Sequence, residues 1–213
     1  MAPKRLHDHT FELTGGHLCL DLANTIDNRP TLHTELLPDY EALLDWSRQA
    51  GVISPKDWRE HRCIAAAHPG KAASVLAKAK RLREVIFQVF SGISRRQGAA
   101  RSPLEELNRM IPGILCRSRL VVSKSGYAWV PANDRSPLET ILWWVSRSAM
   151  DLLISKDLET LRECAAPNCS WLFLDRSKNK TRRWCDMKTC GNRDKVRRFR
   201  MRRRTRPIRK RQD

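Results

Sequence analysis

Nowhere in the 213 residues does an uninterrupted apolar stretch approach the ~18 needed to span a membrane. The opening MAPKRLHDHTFELTGGHLCL has no sustained apolar run ahead of a cleavage-like site, so no secretory signal is expected. Both absences point to a soluble, cytoplasmic chain with no membrane partner. Acidic residues are scarce, with 23 Asp or Glu against 41 Lys or Arg and a formal net charge of +18. Histidine is missing from the whole second half, all six lying before residue 70. A hydrophobic content of 41% excludes wholesale disorder, and the length suits a medium domain with a small appended one.

The charge is unevenly placed. Residues 161–213 carry 19 Lys or Arg against 5 Asp or Glu, a net of +14, which leaves +4 for residues 1–160. Cysteine follows the same division. Cys19, Cys63 and Cys116 are scattered among apolar neighbours, where a free thiol acts as a small hydrophobe. Cys164, Cys169, Cys185 and Cys190 gather within 27 residues. A domain of residues 1–160 and a second of 161–213 are therefore expected.

In residues 1–160, Ser54-Pro55 with Asp57, Ser102-Pro103 with Glu105, and Ser136-Pro137 with Glu139 each place a capping hydroxyl, a first-turn proline and an acid at the third helical position. Leu76, Ala79, Leu82, Ile86, Val89, Phe90 and Ile93 recur at helical spacing, with Lys78, Lys80, Arg81 and Arg83 on other faces. Ile141, Leu142, Val145, Ala149, Leu152 and Leu153 form a second stripe, and Tyr40 to Gln49 a shorter one. Leu120 to Val122 and Tyr127 to Val130 flank a glycine turn and predict a β-hairpin. The fold class is thus mainly α (α+β), with a small β-hairpin.

After Gly15-Gly16, a helix burying Leu18, Leu22 and Ile26 would gather Asp21, Asn24 and Asn28 on another side. That polar row suits either a ligand pocket or the capping and tying of nearby backbone. His7, His9, His17 and His33 could be assembled into a second metal site, but their spacings match no ligand template.

Cys164-x4-Cys169 and Cys185-x4-Cys190, fifteen residues apart, are two chelating pairs on a loop long enough to fold back, as tetrahedral thiolate coordination of one Zn²⁺ requires. A reducing compartment disfavours two disulfides, and an iron–sulfur cluster is a weaker competitor. Four thiolates leave no open position for water, so the zinc is structural. Trp171 to Leu174 predict a strand supplying a miniature core over the metal. From Asn192 to Arg204 the chain reads as a helix about 20 Å long. Val196 and Phe199 are expected to pack on the zinc module, beside a row of Arg193, Arg197, Arg200 and Arg204. Lys195 and Arg198 add to a density of like charge that calls for a polyanion. Arg182-Arg183-Trp184 offers phosphate contacts with a stacking ring, although Trp184 can equally pack beside the zinc.

The string from Cys164 to Asp175, with Arg182-Arg183-Trp184-Cys185-Asp186-Met187 and Cys190-Gly191-Asn192-Arg193, closely resembles the CGNR zinc-finger family. Phe11 to Thr25 resembles the opening of the ABATE domain, which precedes this finger in bacterial proteins described as stress-induced transcription regulators. The resemblance implies zinc on Cys164, Cys169, Cys185 and Cys190, and a nucleic-acid surface at Asn192, Arg193 and the basic helix. It also implies double-stranded DNA as partner and an N-terminal part that senses a small-molecule effector or mediates oligomerisation. The Arg-rich tail from Arg202 to Arg211 departs from it, adding affinity without sequence reading. An RNA-binding or ribosome-associated zinc protein is the alternative. An enzyme built on Asp21, Asn24 and nearby histidines lacks any recognisable nucleophile and base pair, so no catalytic residue is assigned. The oligomeric state stays open, a homodimer included.

Overall fold

The computed structural model describes residues 10–124, 126–134 and 136–204, the last three through their backbone alone. Helices dominate, and they surround one long central helix. The chain opens with α1 (Leu18–Ala23), then two short strands, β1 (Ile26–Asp27) and β2 (Thr34–Glu35). Helices α2 (Tyr40–Gln49), α3 (Pro55–Ala67), α4 (Pro69–Ser94) and α5 (Arg101–Leu115) follow. A hairpin of β3 (Ser118–Ser123) and β4 (Gly126–Pro131) leads through the turn Pro137–Glu139 into α6 (Thr140–Leu153). The second half holds β5 (Leu161–Glu163), β6 (Leu172–Leu174), a wide π-type turn Met187–Gly191 and α7 (Asn192–Arg204). Among the described residues no helix is long and apolar enough to cross a membrane.

Two of the three start signals work differently from expectation. Ser54 forms a full capping box with Asp57. At Ser102-Pro103 the helix has already begun at Arg101, so the proline sits inside the first turn, where its missing N–H costs nothing. At Ser136-Pro137 a single tight turn precedes α6. The hairpin forms as expected, in the register Leu120 opposite Trp129 and Val122 opposite Tyr127.

Along α4, Ala79, Leu82, Ile86, Val89 and Phe90 are buried as their spacing requires, while Leu76 and Ile93 at the ends of the stripe are half-buried and Val75 is buried in place of Leu76. Arg83 is buried too, contrary to the polar face expected for it. Its guanidinium donates to Glu35 at 2.7 and 2.9 Å and to Thr25 at 3.2 Å, while Glu84 takes Arg29 at 2.7 Å. Arg29 also lies 3.9 Å over the Phe87 ring. A buried guanidinium is tolerable because these carboxylates and the hydroxyl replace its water. The network pins the β1–β2 segment to α4.

The strand β6 alternates between two cores, as the period of two demands. Leu172 and Leu174 join the helical core, whereas Phe173 and Trp171 face the cysteine cluster. The expected miniature core is present, and the strand couples it to a much larger one. Asn24 secures the strand: its side-chain N–H donates to the Leu172 carbonyl at 2.9 Å, and its oxygen accepts the Leu172 amide at 2.8 Å. Both atoms of the primary amide thus serve as the missing neighbour for one strand residue.

Asn24→Ala removes both bonds and leaves a buried N–H and C=O of Leu172 without partners. A loss of about 2 kcal/mol is expected, to be read by chemical denaturation. Asn24→Asp, which turns a donor into a second acceptor against the Leu172 carbonyl, is expected to cost at least as much.

Candidate metal centre and basic helix

Local sequence explains how four thiols converge. Between Cys164 and Cys169 the chain turns at Ala166, whose carbonyl accepts the Cys169 amide at 3.1 Å. The Cys164 amide donates to the Trp171 carbonyl at 2.8 Å, closing the first pair onto the β5–β6 ribbon. The second pair is shaped by the Met187–Gly191 turn, whose start Asp186 caps by accepting the Lys188 amide at 2.7 Å. Gly191 leaves room there for Met187: a Cβ would sit 3.0 Å from its sulfur and oblige that exposed side chain to shift. Asp175 ties the intervening loop by accepting from the Ser177 and Arg182 amides at 3.0 and 2.9 Å.

The sulfurs of Cys164, Cys169, Cys185 and Cys190 all lie within 4.8 Å of one another and are buried. Cys169 to Cys185 and Cys185 to Cys190 are each 3.7 Å. A Zn²⁺ with four Zn–S bonds of about 2.3 Å sets a tetrahedral edge of about 3.8 Å. A disulfide would need about 2.05 Å. The donor set and spacing fit one structural Zn²⁺.

Electrostatics agree with that fit. Hydrogen bonds from Cys169 and Cys185 hold the Cys164 thiol far below its ordinary range. The same bonding, with Cys164 as the partner, pushes Cys169 and Cys185 up, and burial raises Cys190. The four thiols thus perturb one another strongly, and a bound dication would favour the thiolate form of all four. Arg193 adds a guanidinium N–H 3.6 Å from the Cys190 sulfur.

Among the described residues, these four cysteines are the one His/Cys/Asp/Glu group spaced to hold a metal. His7 and His9 lie outside the described residues, and His17 is engaged elsewhere, its Nδ1 2.7 Å from the Ser148 hydroxyl. Of the three scattered cysteines, Cys19 is buried as expected, but Cys63 and Cys116 are exposed.

The polar row near the start is divided because α1 ends at Ala23. Asp21 accepts the Gly15 amide at 2.8 Å, Asn24 holds β6, and Asn28, at a φ of 51°, accepts from Asn168 at 3.2 Å. Each of the three ties backbone or loop, two of them to the finger. The Trp171 indole N–H also donates to the Ile26 carbonyl at 2.9 Å, adding to this seam. Sequence periodicity could not reveal Trp171 as a cross-link, since an indole beside zinc ligands reads equally well as local packing.

The basic residues sort into distinct settings. Arg182 is turned inward, 4.6 Å over the Phe173 ring, with its guanidinium donating to the carbonyls of Trp184 and Cys185. Arg183 stacks 5.4 Å from Trp184. On α7, buried Asp194 pairs with Arg197 at 2.6 Å and Arg198 at 2.8 Å. The Arg197 guanidinium holds the Asp194 carboxyl below the usual carboxylate range. Lys188, Asn192, Arg193, Val196 and Arg200 border one open groove along the helix. Lys195 lies exposed on another side, and Arg204 is the last residue of the helix. Val196 and Phe199 do not pack on the zinc module; both are exposed, because beyond its first turn α7 projects past the finger.

These features define a helical protein carrying a four-cysteine zinc finger, and the CGNR zinc-finger family matches residues 160–203. The chain belongs to the ABATE family, described as "Putative stress-induced transcription regulator", which matches residues 16–156. No curated protein matches the chain.

Two outcomes are expected. Metal analysis of the purified protein should give one zinc per chain, and Cys185→Ser should abolish it and lower the melting temperature. At Asp21, burial raises the carboxyl to about 6 from 3.8. The fold then holds a proton that the unfolded chain releases, so stability falls as pH rises between those values. The ionised group costs on the order of 1–2 kcal/mol after solvent screening. Asp21→Asn should therefore melt above the wild type at pH 8 and level with it near pH 4.

Proposed function

We propose that this regulator binds double-stranded DNA through the finger and α7, with residues 161–213 as the nucleic-acid part and residues 1–160 as the effector part. The observation that carries the reading is the setting of α7. A helix bearing Arg193, Arg197, Arg198 and Arg200 stands clear of the protein, anchored at its first turn beside the cysteine cluster. The zinc site serves as its rigid base. Asn192, Arg193, Val196 and Arg200 share the groove face and suit base edges: Asn pairs with adenine, Arg with guanine, and an aliphatic group with the thymine methyl. Lys188, Arg183, Lys195, Arg197 and Arg198 suit phosphates. Arg182, engaged with three groups of the finger, supports the scaffold.

The effector part carries a surface groove of about 580 Å³ between α2, α3 and α4, bordered by Tyr40, Leu44, Arg62, Ala65 and Leu76. Its size suits a small-molecule effector. The bonds from Asn24, Asn28 and Ile26 to the finger supply a route by which such a ligand would alter the set of α7. We assign no catalytic residue; the bond between Asp21 and Gly15 supports a structural role.

Retention of genomic fragments by the zinc-loaded protein, against excess random DNA and RNA, tests the reading. A common DNA sequence should emerge, with affinity falling by roughly 10³ to 10⁵ between about 50 and 200 mM salt if six to ten phosphates are contacted. Arg200→Ala should weaken binding without loss of stability, while Arg182→Ala should lower stability first. Preference for RNA, or indifference to salt, would refute the DNA assignment.

A further inference from the structure

The β3–β4 hairpin leaves four large apolar side chains in water: Leu120 is 63%, Val122 82%, Tyr127 81% and Trp129 42% exposed. Strand alternation places all four on one face, while Val121 and Ala128 on the other are half-buried. An isolated two-stranded ribbon is marginally stable in water and needs its apolar face covered. Of the charged residues that the hairpin itself carries, Arg119 lies on the opposite face and Lys124 in the turn. The exposed face is therefore neutral, which suits neither a phosphate backbone nor an anionic lipid surface.

The register makes this face complementary to itself. Both aliphatic residues stand on β3 and both aromatic residues on β4, with Leu120 level with Trp129 and Val122 level with Tyr127. A two-fold axis parallel to the strands, midway between two such faces, lays β4 of one copy over β3 of the other at the same height. Each Leu120 then meets the partner's Trp129, and each Val122 the partner's Tyr127. Four aliphatic-on-aromatic contacts arise from one operation, with no aliphatic pair or aromatic pair forced together.

Charge narrows where a second copy can approach. The chain carries +18, of which +14 lies in residues 161–213, so two copies repel through most surfaces. The neutral hairpin face belongs to the less charged half. We infer that the β3–β4 face is a homodimerisation surface, closed by a two-fold axis along its strands. This inference stands on the hairpin alone and does not require the DNA reading. The four side chains form a small interface, below the standard of about 800 Å² per partner, so dissociation constants of roughly 10–100 µM are expected.

Sedimentation equilibrium on zinc-loaded, nucleic-acid-free full chain decides it, over about 1–200 µM to bracket that range. The mass is expected to rise from 24.7 kDa toward twice that value. Val122→Glu and Tyr127→Lys should each remain at 24.7 kDa, since each buries an unpaired charge twice. Mixed in equal amounts they should dimerise again, because one Val122–Tyr127 contact becomes a Glu–Lys pair while the other stays native. Leu32→Glu, at an exposed apolar residue elsewhere, should dimerise like the wild type. A wild type that stays monomeric throughout, a Val122→Glu chain that dimerises unchanged, or a mixture that fails to associate would overturn the inference.

Discussion

The seam between the helical part and the finger is built around three residues of strand, with Trp171 and Asn168 adding bonds beside it. Leu172 and Leu174 reach into the helical core while Phe173 and Trp171 close over the cysteines, so β6 couples the packing of six helices to the much smaller core of the finger. Such a strand could slide or twist if it were held by apolar contacts alone, which have no preferred direction. The amide of Asn24 removes that freedom by matching both polar groups of Leu172. The metal then needs only to fix the two cysteine pairs relative to a ribbon already in register.

A second constraint acts on charge. Lined with arginine, α7 would repel itself, and Asp194 answers by neutralising Arg197 and Arg198 near the start of the helix. Lys195 and Arg200, farther along, are exposed. The finger therefore combines a neutralised base with a positive arm, the arrangement a helix needs if it is to be rigid before it meets an anion.

The four cysteines, the long helix α4, the hairpin and α7 were legible from spacing alone, because each is a short-range pattern: paired ligands, helical period, strand alternation, a run of helix formers. What spacing did not disclose depends on partners far along the chain. Arg83 lies on a helix face that reads as polar, yet Glu35 and Thr25 close over it from another segment. Asn24 reads equally as cap, pocket wall or tie until Leu172 is placed beside it. Val196 and Phe199 have the spacing of a buried stripe, but α7 runs out past the surface they would have covered. Cys63 and Cys116 sit among apolar neighbours in sequence and still face water, since helical rotation, which neighbour identity does not encode, sets their exposure.

The bond between Asn24 and Leu172 spans 148 residues. Because synthesis runs from the N-terminus, α1 and α4 can meet long before the strand that completes them exists. Until then a groove lined by Leu20, Leu22 and the unpaired amide of Asn24 stays open to water and to other chains. Such late, long-range closure slows folding and lengthens exposure to misassembly. Docking of β6 ends that vulnerable period, and zinc, by fixing the cysteine pairs that lie before and after the strand, makes the docking harder to reverse.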